Sequence, residues 1–348
     1  MENTGPLIHS TPSHASLPAA FVLAADKLPP ASTAAAAAVS LPVVDLSLPR
    51  DEARRAVLAA GKDIGFFQVV NHGVPAETMR AMEELCEGFF RLPASEPGKA
   101  ALLSEDKKKP NRLFSGVTYD TGGQKYWRDC LRIACPFPLD PSMINQWPDN
   151  PLGLRAVIEK FTVQTRSVGM EILKLLSEGT GLQPDYFCGD IAGGDVILNV
   201  NHYPPCPNPE KALGQPPHCD RNLITLLLPG SVNGLEVACN GDWIKVNPVD
   251  NAFVVNFGQQ LEVVTNGLLK SVEHRAVTNS VKARTSVATF IMPTEDCVIG
   301  PDERFVNEEN PVGYRTTVFS DFMRIYNVVN LGASLNLTTN LKDVQKEV

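Results

Sequence analysis

The sequence predicts a mainly β protein with flanking helices, whose core is a double-stranded β-helix (jelly roll) carried by a helical N-terminal support. Two observations lead to this fold class. Helical patterns dominate the first half of the chain, whereas short β-rich segments follow one another from Val196 onward. Asn-Gly turn signals separate those segments at 233–234, 240–241 and 266–267. About eight short strands in roughly 100 residues are typical of a double-sheet jelly roll.

The N-terminal part divides into a tail and a support. Residues 1–40 are rich in Ala, Pro and Ser, so we expect a flexible tail in which Phe21–Leu23 contacts the body. Residues 41–180 form the predicted support, in which the polar segment 94–125 is expected to be a long surface loop or lid. The support is predicted to contain strands over 41–46 and 65–70, and helices over 51–62, 75–90 and 152–179.

The jelly-roll core is predicted to span residues 181–330, followed by a C-terminal tail over 331–348. A closing helix is predicted over 319–329. The core strands are predicted over 196–203, 223–228, 234–238, 242–246, 253–257, 261–265, 271–277 and 285–292.

Composition and charge narrow the classes of partner. The net charge is −8 and no block of Lys and Arg occurs, so nucleic-acid binding is not expected. No apolar run approaches the ~20 residues of a membrane helix, and the N-terminus lacks the pattern of a secretory signal. The eight cysteines are scattered, as is typical of free thiols in a reducing compartment. We therefore expect a cytoplasmic monomer that acts on a small molecule, with neither a membrane nor a nucleic acid as partner.

The clearest chemical signal is His218-Cys219-Asp220, followed by His274. In a strand, His218 and Asp220 point to the same face while Cys219 points away. Two imidazoles and one carboxylate are the ligands of the 2-His-1-carboxylate facial triad, which leaves open positions on a non-haem Fe(II). A His-x-Asp pair alone is a weak signal, but the set of three on a predicted jelly roll predicts an iron site.

A second pair of residues follows the last of these histidines. Arg284 and Ser286 occupy one face of a predicted strand. A buried guanidinium needs an anionic partner, and a bidentate pair with a ligand carboxylate supplies one. The alternative is that Arg284 is a surface residue like its neighbour Lys282. Next to the proposed triad, we favour a site for a keto-acid held at both ends.

Asn201 and Tyr203 share a face of another predicted strand. From that face the Tyr203 hydroxyl can reach the same distal carboxylate. His202, which lies between them, points to the opposite side and is not expected to bind metal.

Together these motifs resemble the plant 2-oxoglutarate- and Fe(II)-dependent dioxygenases, from about residue 40 onward. The matching stretches are GFFQVVNHGV at 65–74, NHYPPCP at 201–207, HCD at 218–220, NLITLLL at 222–228, GLEV at 234–237, FVVNFG at 253–258, EHR at 273–275 and RTS at 284–286. The resemblance implies that His218, Asp220 and His274 bind iron. It also implies that 2-oxoglutarate is bound by Arg284, Ser286, Tyr203 and Asn201. The chain departs from the family at His202, where Tyr is frequent, and at Glu236, where Gln is frequent.

The resemblance also implies the reaction. Such enzymes use Fe(II), O₂ and 2-oxoglutarate, with ascorbate expected to keep the iron reduced. They hydroxylate an unactivated C–H bond of a small molecule and release succinate and CO₂.

For the substrate, the resemblance is to the grass enzymes that hydroxylate mugineic-acid phytosiderophores. It runs through residues 111–138 and 334–347. It implies conversion of 2′-deoxymugineic acid to mugineic acid, or a related reaction on a polycarboxylate. Candidate cations for its carboxylates are Arg112, Lys125, Arg128 and Arg132, of which Arg128 and Arg132 share a face if that stretch is helical. Candidate walls of the pocket are Phe114, Tyr119, Trp127, Phe290 and Met292.

Other readings stay open at this point. The charged candidates can be ordinary surface residues and the aromatic ones ordinary core. A related hydroxylase or epoxidase of a tropane-type alkaloid or flavonoid would need fewer cations. An oxidase of the same fold that dispenses with 2-oxoglutarate is compatible with the triad alone. A cupin-type isomerase or Zn hydrolase would leave Arg284 and Ser286 unexplained, and a catalytically silent binding protein would not need an intact ligand set.

Overall fold

The computed structural model describes residue 8 and residues 16–28, 40–116 and 123–328. Two sheets face each other, and helices cover the outer side of the larger one. The larger sheet has eight strands and the smaller one four, which confirms the predicted mainly β jelly-roll fold with a helical support.

The support contributes helices and four strands of the larger sheet. Its helices are α1 (Arg50–Asp63), α2 (Ala76–Arg91), α3 (Pro97–Leu102), α4 (Pro141–Ile144) and α5 (Leu154–Thr180). Its strands are β1 (Val43–Asp45), β2 (Phe66–Val70), β3 (Arg112–Ser115) and β4 (Asp129–Cys135).

The core contributes the remaining strands and two helices. The strands are β5 (Val196–Tyr203), β6 (Leu213–His218), β7 (Ile224–Leu228), β8 (Leu235–Cys239), β9 (Asp242–Lys245), β10 (Phe253–Phe257), β11 (His274–Val277), β12 (Arg284–Ile291), β13 (Val298–Ile299) and β14 (Thr317–Val318). The helices are α6 (Gln259–Val264) and α7 (Phe319–Val328). The major sheet has the order β1-β2-β10-β7-β12-β5-β4-β3, and the minor sheet the order β6-β11-β8-β9.

Each strand of the major sheet presents alternate residues to two different environments. In β12, Val287 and Ile291 belong to the large core that the sheet forms with the helices. Arg284, Ser286 and Phe290 point the other way and line a cavity between the two sheets. Because side chains alternate along a strand, one strand can supply both core and site.

The cavity between the sheets is closed at one end by apolar packing. Phe66, Val254 and Leu235 meet there in a separate buried cluster that joins strands of both sheets. Polar residues occupy the other end, so the inter-sheet space is divided into a packed half and a cavity.

The N-terminal segment contacts the body as expected. Phe21 packs edge-on against Trp127, with ring centroids 5.1 Å apart, and Leu23 is buried beside Leu213. Ile8 is also buried, and its amide donates a hydrogen bond to the Asp129 carboxylate over 3.1 Å. This segment therefore braces the start of β4.

Several predicted elements were wrong. Residues 261–265 form part of helix α6 rather than a strand, since the apolar run is short enough for either structure. The predicted loop over 94–125 contains α3 and the edge strand β3. Arg132 lies in strand β4, so the condition of a helical stretch, under which Arg128 and Arg132 were expected to share a face, is not met. Strands β4 and β6 were missed, because charged residues interrupt the first and two prolines the second.

Other predictions were confirmed within a few residues, including the closing helix, which spans Phe319–Val328. The C-terminal segment over 331–348 lies outside the described residues. The eight cysteines are free thiols. Among the described helices, we find none that combines the length and the apolar character needed to cross a bilayer.

Phe21→Ala tests whether the N-terminal segment stabilises the body. We expect the free energy of unfolding to fall by about 3 kcal/mol, because the change leaves a cavity against Trp127. Urea denaturation followed by fluorescence measures it. Val22→Ala is the matched control, since Val22 is 40% exposed and its truncation should cost less than about 0.5 kcal/mol. Equal losses in both variants would contradict a bracing role.

Candidate active site

Three side chains converge at the open end of the inter-sheet cavity. His218 ends β6 and His274 begins β11, and the two residues are directly opposite in the antiparallel register of these strands. Asp220 follows two residues after β6. Nε2 of each histidine lies 3.8 Å from Asp220 Oδ1, and the ligand atoms all lie within 4.8 Å of one another. The three predicted ligands are thus arranged to bind one metal ion.

Hydrogen bonds to the backbone orient both imidazoles. Nδ1 of His218 lies 2.9 Å from the Pro216 carbonyl oxygen, and Nδ1 of His274 lies 3.2 Å from that of Val272. A carbonyl can only accept, so each Nδ1 carries the proton and each Nε2 keeps its lone pair toward the cluster. Phe66 packs edge-on against His274 and limits rotation of that ring.

Side-chain hydrogen bonds orient the Asp220 carboxylate. Oδ2 accepts hydrogen bonds from Thr225 Oγ1 over 2.6 Å and from Asn256 Nδ2 over 2.8 Å. These partners leave Oδ1 directed toward the two Nε2 atoms. Such outer hydrogen bonds fix the orientation of metal ligands and tune their affinity.

The electrostatics of the cluster suit a divalent metal. Burial and the nearby His274 outweigh the opposing effect of Asp220 and together lower the pKa of His218 to about 3, so the His218 imidazole is neutral at neutral pH. Burial raises the pKa of Asp220, but the two imidazoles and the hydrogen bonds from Asn256 and Thr225 outweigh it, and the pKa falls below its usual value. Neutral imidazole with carboxylate is the donor set of non-haem Fe(II) sites, so these residues fit iron.

The four residues predicted to hold a keto-acid lie side by side on β5 and β12. The register pairs Arg284 with Tyr203 and Ser286 with Asn201. All four are buried and line the same cavity as the metal cluster, which we call the inner cavity. The structure therefore brings this predicted set together with the triad.

Arg284 lacks an acidic partner in the described part of the chain. Its Nε donates to the Val232 carbonyl over 3.0 Å, and its Cζ lies 5.2 Å from the centroid of the Tyr203 ring. Burial lowers the pKa of Arg284, which only the Tyr203 hydroxyl offsets. A buried guanidinium in this state favours an anionic ligand.

Two glycines make room for these side chains. A Cβ on Gly214 would lie 2.4 Å from the Tyr203 ring, and one on Gly234 would lie 2.8 Å from Arg284 Cδ. Gly214 lies in β6 and Gly234 directly precedes β8. Both positions must therefore be small for Tyr203 and Arg284 to reach the cavity.

A second space, which we call the outer cavity, adjoins the metal cluster. Its lining includes the ligands His218 and Asp220. The other lining residues are Arg128, Arg132, Ile197, Asn199, Gln215, Arg221, Phe290, Met292 and Met323. Four of the residues predicted to contact a substrate (Arg128, Arg132, Phe290 and Met292) thus lie together beside the metal cluster.

Positive charge is concentrated at the outer cavity. Arg112 lies opposite Arg132 in the register of β3 and β4. Burial, together with the charges of Arg221 and Arg112, lowers the pKa of Arg132 to about 10. Burial also lowers the pKa of Arg112, whose Cζ lies 4.3 Å from the centroid of the Phe114 ring. We call Arg112, Arg132 and Arg221 the arginine cluster.

The remaining predicted contacts are placed elsewhere. Trp127 is fully buried under the N-terminal segment, and its Nε1 donates to the Pro204 carbonyl over 2.9 Å. Lys125 is exposed, and Phe114 lies beneath Arg112. Tyr119 lies outside the described residues.

The residues that depart from the family pattern face away from the metal cluster. His202 stacks on Phe90 with centroids 4.6 Å apart and shares a hydrogen bond of 2.9 Å with Thr285, on the helix side of the sheet. Glu236 is buried in an ion pair with Arg275, 2.7 Å away, so its charge is neutralised within the minor sheet. Cys219 lies outside the metal cluster, with its Sγ 3.6 Å from the Ser271 carbonyl oxygen.

Sequence reasoning missed several residues of the site. Arg221 directly follows Asp220, and Gln215 precedes His218 by three positions, so proximity to the motif was a usable signal. Thr225 and Asn256 were visible as single polar residues inside the apolar strands ITLLL and FVVNF. A polar residue in such a strand requires a buried partner.

Thr225→Val removes one hydrogen bond from Asp220 and preserves side-chain shape. We expect the affinity for Fe(II) to fall about 10-fold, because loss of such a partner typically weakens a metal site by 10–100-fold. Anaerobic titration with Fe(II) measures the change. Thr289→Val is the control, since the Thr289 hydroxyl is buried without a hydrogen-bond partner among the described residues. Unchanged affinity in Thr225→Val would show that this contact does not support the ligand.

Comparisons with known proteins agree with this geometry. Residues 194–293 match the model of the 2OG-Fe(II) oxygenase superfamily, and residues 41–150 match that of the non-haem dioxygenase in morphine synthesis N-terminal region. The chain is 71% identical to 2′-deoxymugineic-acid 2′-dioxygenase of Hordeum vulgare, with 100% of both chains covered. It is 51% identical to mugineic-acid 3-dioxygenase of Hordeum vulgare, covering 98% of this chain and 99% of the relative.

A solved structure extends the agreement to three dimensions. The crystal structure of JOX2 in complex with 2OG, Fe and JA superimposes with a TM-score of 0.81 at 33% identity, covering 92% of each chain. The chain therefore belongs to the 2OG-Fe(II) oxygenase superfamily and is an enzyme that uses Fe(II) and 2-oxoglutarate.

Proposed function

We propose that this enzyme hydroxylates 2′-deoxymugineic acid to mugineic acid, or a closely related phytosiderophore. The single observation that carries the proposal is the outer cavity, where the metal ligands His218 and Asp220 share a wall with Arg132 and Arg221. A cavity that is lined by cations beside the metal suits a small molecule with several carboxylates. The two Hordeum vulgare relatives, which are named for reactions on such compounds, support the same substrate class.

In this proposal His218, Asp220 and His274 hold the iron. Arg284, Ser286 and Tyr203 bind the distal carboxylate of 2-oxoglutarate, and Asn201 lies near its other end. The bound iron supplies the oxidising chemistry, in which one oxygen atom of O₂ enters a C–H bond of the substrate and the other enters succinate, with release of CO₂. The protein side chains orient both molecules and exclude water from the inner cavity, with ascorbate keeping the iron reduced.

The charge balance of the outer cavity favours a polycarboxylate over an apolar substrate. The arginine cluster brings three cations close together, and burial together with mutual repulsion lowers the pKa of Arg132. An anionic ligand relieves both effects, because it supplies opposite charge and hydrogen-bond acceptors. A planar alkaloid or flavonoid would leave these cations without a bound anion, so the structure gives such substrates less support.

We also propose that the enzyme is a cytoplasmic monomer with the domain limits expected from the sequence. Eight free thiols suit a reducing compartment. A division between support and core at residues 180 and 181 falls just after α5, and the two matched family models lie on either side of it.

Reconstitution tests the reaction. The protein is loaded anaerobically with Fe(II), then given 2-oxoglutarate, ascorbate, O₂ and 2′-deoxymugineic acid, and products are read by mass spectrometry. We expect a product heavier by one oxygen atom and one succinate for each product molecule. Succinate without a hydroxylated product would contradict the proposed substrate, and no succinate at all would contradict the assigned chemistry.

Arg221→Met tests whether the outer cavity binds a substrate that carries carboxylates. If Arg221 binds a substrate carboxylate, the KM for 2′-deoxymugineic acid should rise while the KM for 2-oxoglutarate stays unchanged. If the KM for 2′-deoxymugineic acid stayed unchanged in Arg221→Met, Arg221 and the outer cavity would not bind this substrate.

Arg284→Met tests the 2-oxoglutarate site. We expect the KM for 2-oxoglutarate to rise roughly 30-fold or more, since loss of a desolvated charged pair is worth about 2–5 kcal/mol, while bound iron stays unchanged. Steady-state kinetics and iron analysis measure the two effects. Lys282→Met, which removes a nearby exposed cation, is the control and should leave both values unchanged. A KM that does not move in Arg284→Met would show that Arg284 does not bind the co-substrate.

A further inference from the structure

We propose that Arg128 is a positioning residue that fixes Asn201 and Gln215 together, so that consumption of 2-oxoglutarate stays coupled to hydroxylation of the substrate. The inference rests on the proposed function and adds a role for a side chain that sequence reasoning had assigned to substrate binding. Three observations support it: the place of Arg128, the contacts of its guanidinium, and the orientation that these contacts impose on Gln215.

Arg128 lies at the boundary between the two cavities. It is 4% exposed, immediately precedes β4, and lines both the inner and the outer cavity. The inner cavity contains Arg284 and Ser286, whereas the outer cavity contains Arg132 and Arg221. A side chain at this boundary contacts the surroundings of both the co-substrate and the substrate.

The guanidinium of Arg128 holds three different parts of the chain. Nη1 donates to Asn201 Oδ1 over 3.1 Å and to Gln215 Oε1 over 2.7 Å. Nε and Nη2 both donate to the Gly116 carbonyl oxygen, over 3.1 and 2.9 Å, and Gly116 N donates to the Arg128 carbonyl in return. The planar fork thus ties the residue after β3 to β5 and β6, which the single ammonium of a lysine cannot reproduce.

These contacts determine which way the Gln215 amide faces. Arginine has only donors, so Gln215 must present its oxygen to Arg128 and its NH₂ group to the other side. On that side Gln215 Nε2 lies 2.7 Å from Nε2 of His218, the atom that faces the metal cluster. Iron bound at His218 Nε2 would take the lone pair that this donor faces, so the NH₂ group that Arg128 directs toward the metal cluster would then donate to an oxygen atom of a ligand.

The same guanidinium acts on the co-substrate side. Asn201 lies opposite Ser286 in the β5–β12 register, and its Oδ1 accepts from Arg128. Its own Nδ2 donates to the Asn199 carbonyl over 3.3 Å, which completes the fixation of this amide. Because Arg128 holds one amide near 2-oxoglutarate and another near the metal ligand, a change at Arg128 displaces both.

Arg128 differs in this respect from the arginine cluster. Four side-chain hydrogen bonds of Arg128 go to neutral oxygens of the chain. The arginine cluster instead places Arg132 and Arg221 on the wall of the outer cavity, with Arg112 opposite Arg132 in the strand register. The structure thus separates an arginine that positions the site from arginines suited to bind a substrate carboxylate.

Two variants test the inference with Fe(II)-loaded full-length protein. Arg128→Lys keeps the charge and removes the fork, and Gln215→Glu keeps an acceptor for Arg128 and removes the NH₂ donors. In both, we expect the ratio of succinate to hydroxylated product to rise about 10-fold, since small misplacements in a site cost factors of this order. Lys282→Met, which removes an exposed cation that lines neither cavity, is the control and should keep the ratio of the unaltered enzyme.

A measurement without turnover separates this inference from the proposed function. Anaerobic titration with 2-oxoglutarate, followed by the absorption of its complex with Fe(II), should show weaker binding and a shifted band in Arg128→Lys and Gln215→Glu, but not in Lys282→Met. Unchanged titrations and ratios in the first two variants would overturn the inference. A higher KM for 2′-deoxymugineic acid as their only defect would also overturn it, because that result assigns Arg128 to substrate binding. If 2′-deoxymugineic acid proved not to be a substrate, the titrations would still decide the role of Arg128.

Discussion

The register of two antiparallel strand pairs is the constraint on which this site depends. In one pair His274 lies opposite His218, and in the other Arg284 lies opposite Tyr203. A strand has a period of two, so a slip of one residue in β12 would turn Arg284 and Ser286 into the apolar core against the helices. The apolar residues Val287 and Ile291 on the opposite face would then enter the cavity. The core thereby enforces the register, and the register in turn places residues that are distant in sequence around a single point.

An acidic protein concentrates buried positive charge at this point. The net charge is −8, yet Arg128 and Arg284, which line the cavities, and Arg112, which lies opposite Arg132, are each less than 5% exposed. Burial of a cation is costly, and the protein meets that cost differently at each position. Arg128 is satisfied by carbonyl and amide oxygens, Arg112 packs on the Phe114 ring, and Arg284 contacts the Val232 carbonyl and the hydroxyl and ring of Tyr203. The charges least satisfied by the protein lie where anionic ligands are proposed to bind.

Much of the fold and the site follows from local patterns in the sequence. The alternation of apolar and polar residues predicts the central strands, and His218, Asp220 and His274 predict the ligand cluster. The predictions that failed concern features that depend on tertiary contacts. The run at 261–265 is apolar in either structure, and β6 carries two prolines, as expected for a strand at the edge of its sheet. The role of Arg128 could not be predicted from the sequence either, because its partners Asn201 and Gln215 are 73 and 87 residues away along the chain.

The architecture separates the chemistry from the choice of substrate. The proposed co-substrate residues lie on β5 and β12, which are paired on both sides within the major sheet, and the proposed metal ligands lie where β6 meets β11. The arginine cluster instead comes from β3 at the sheet edge, from its neighbour β4, and from Arg221 in the connection after β6. Connections such as the one that carries Arg221 tolerate change better than paired strands, because fewer neighbours depend on them. Substrate preference can therefore change at the arginine cluster while the central strands keep the metal and 2-oxoglutarate sites, with Arg128 at the boundary linking the two.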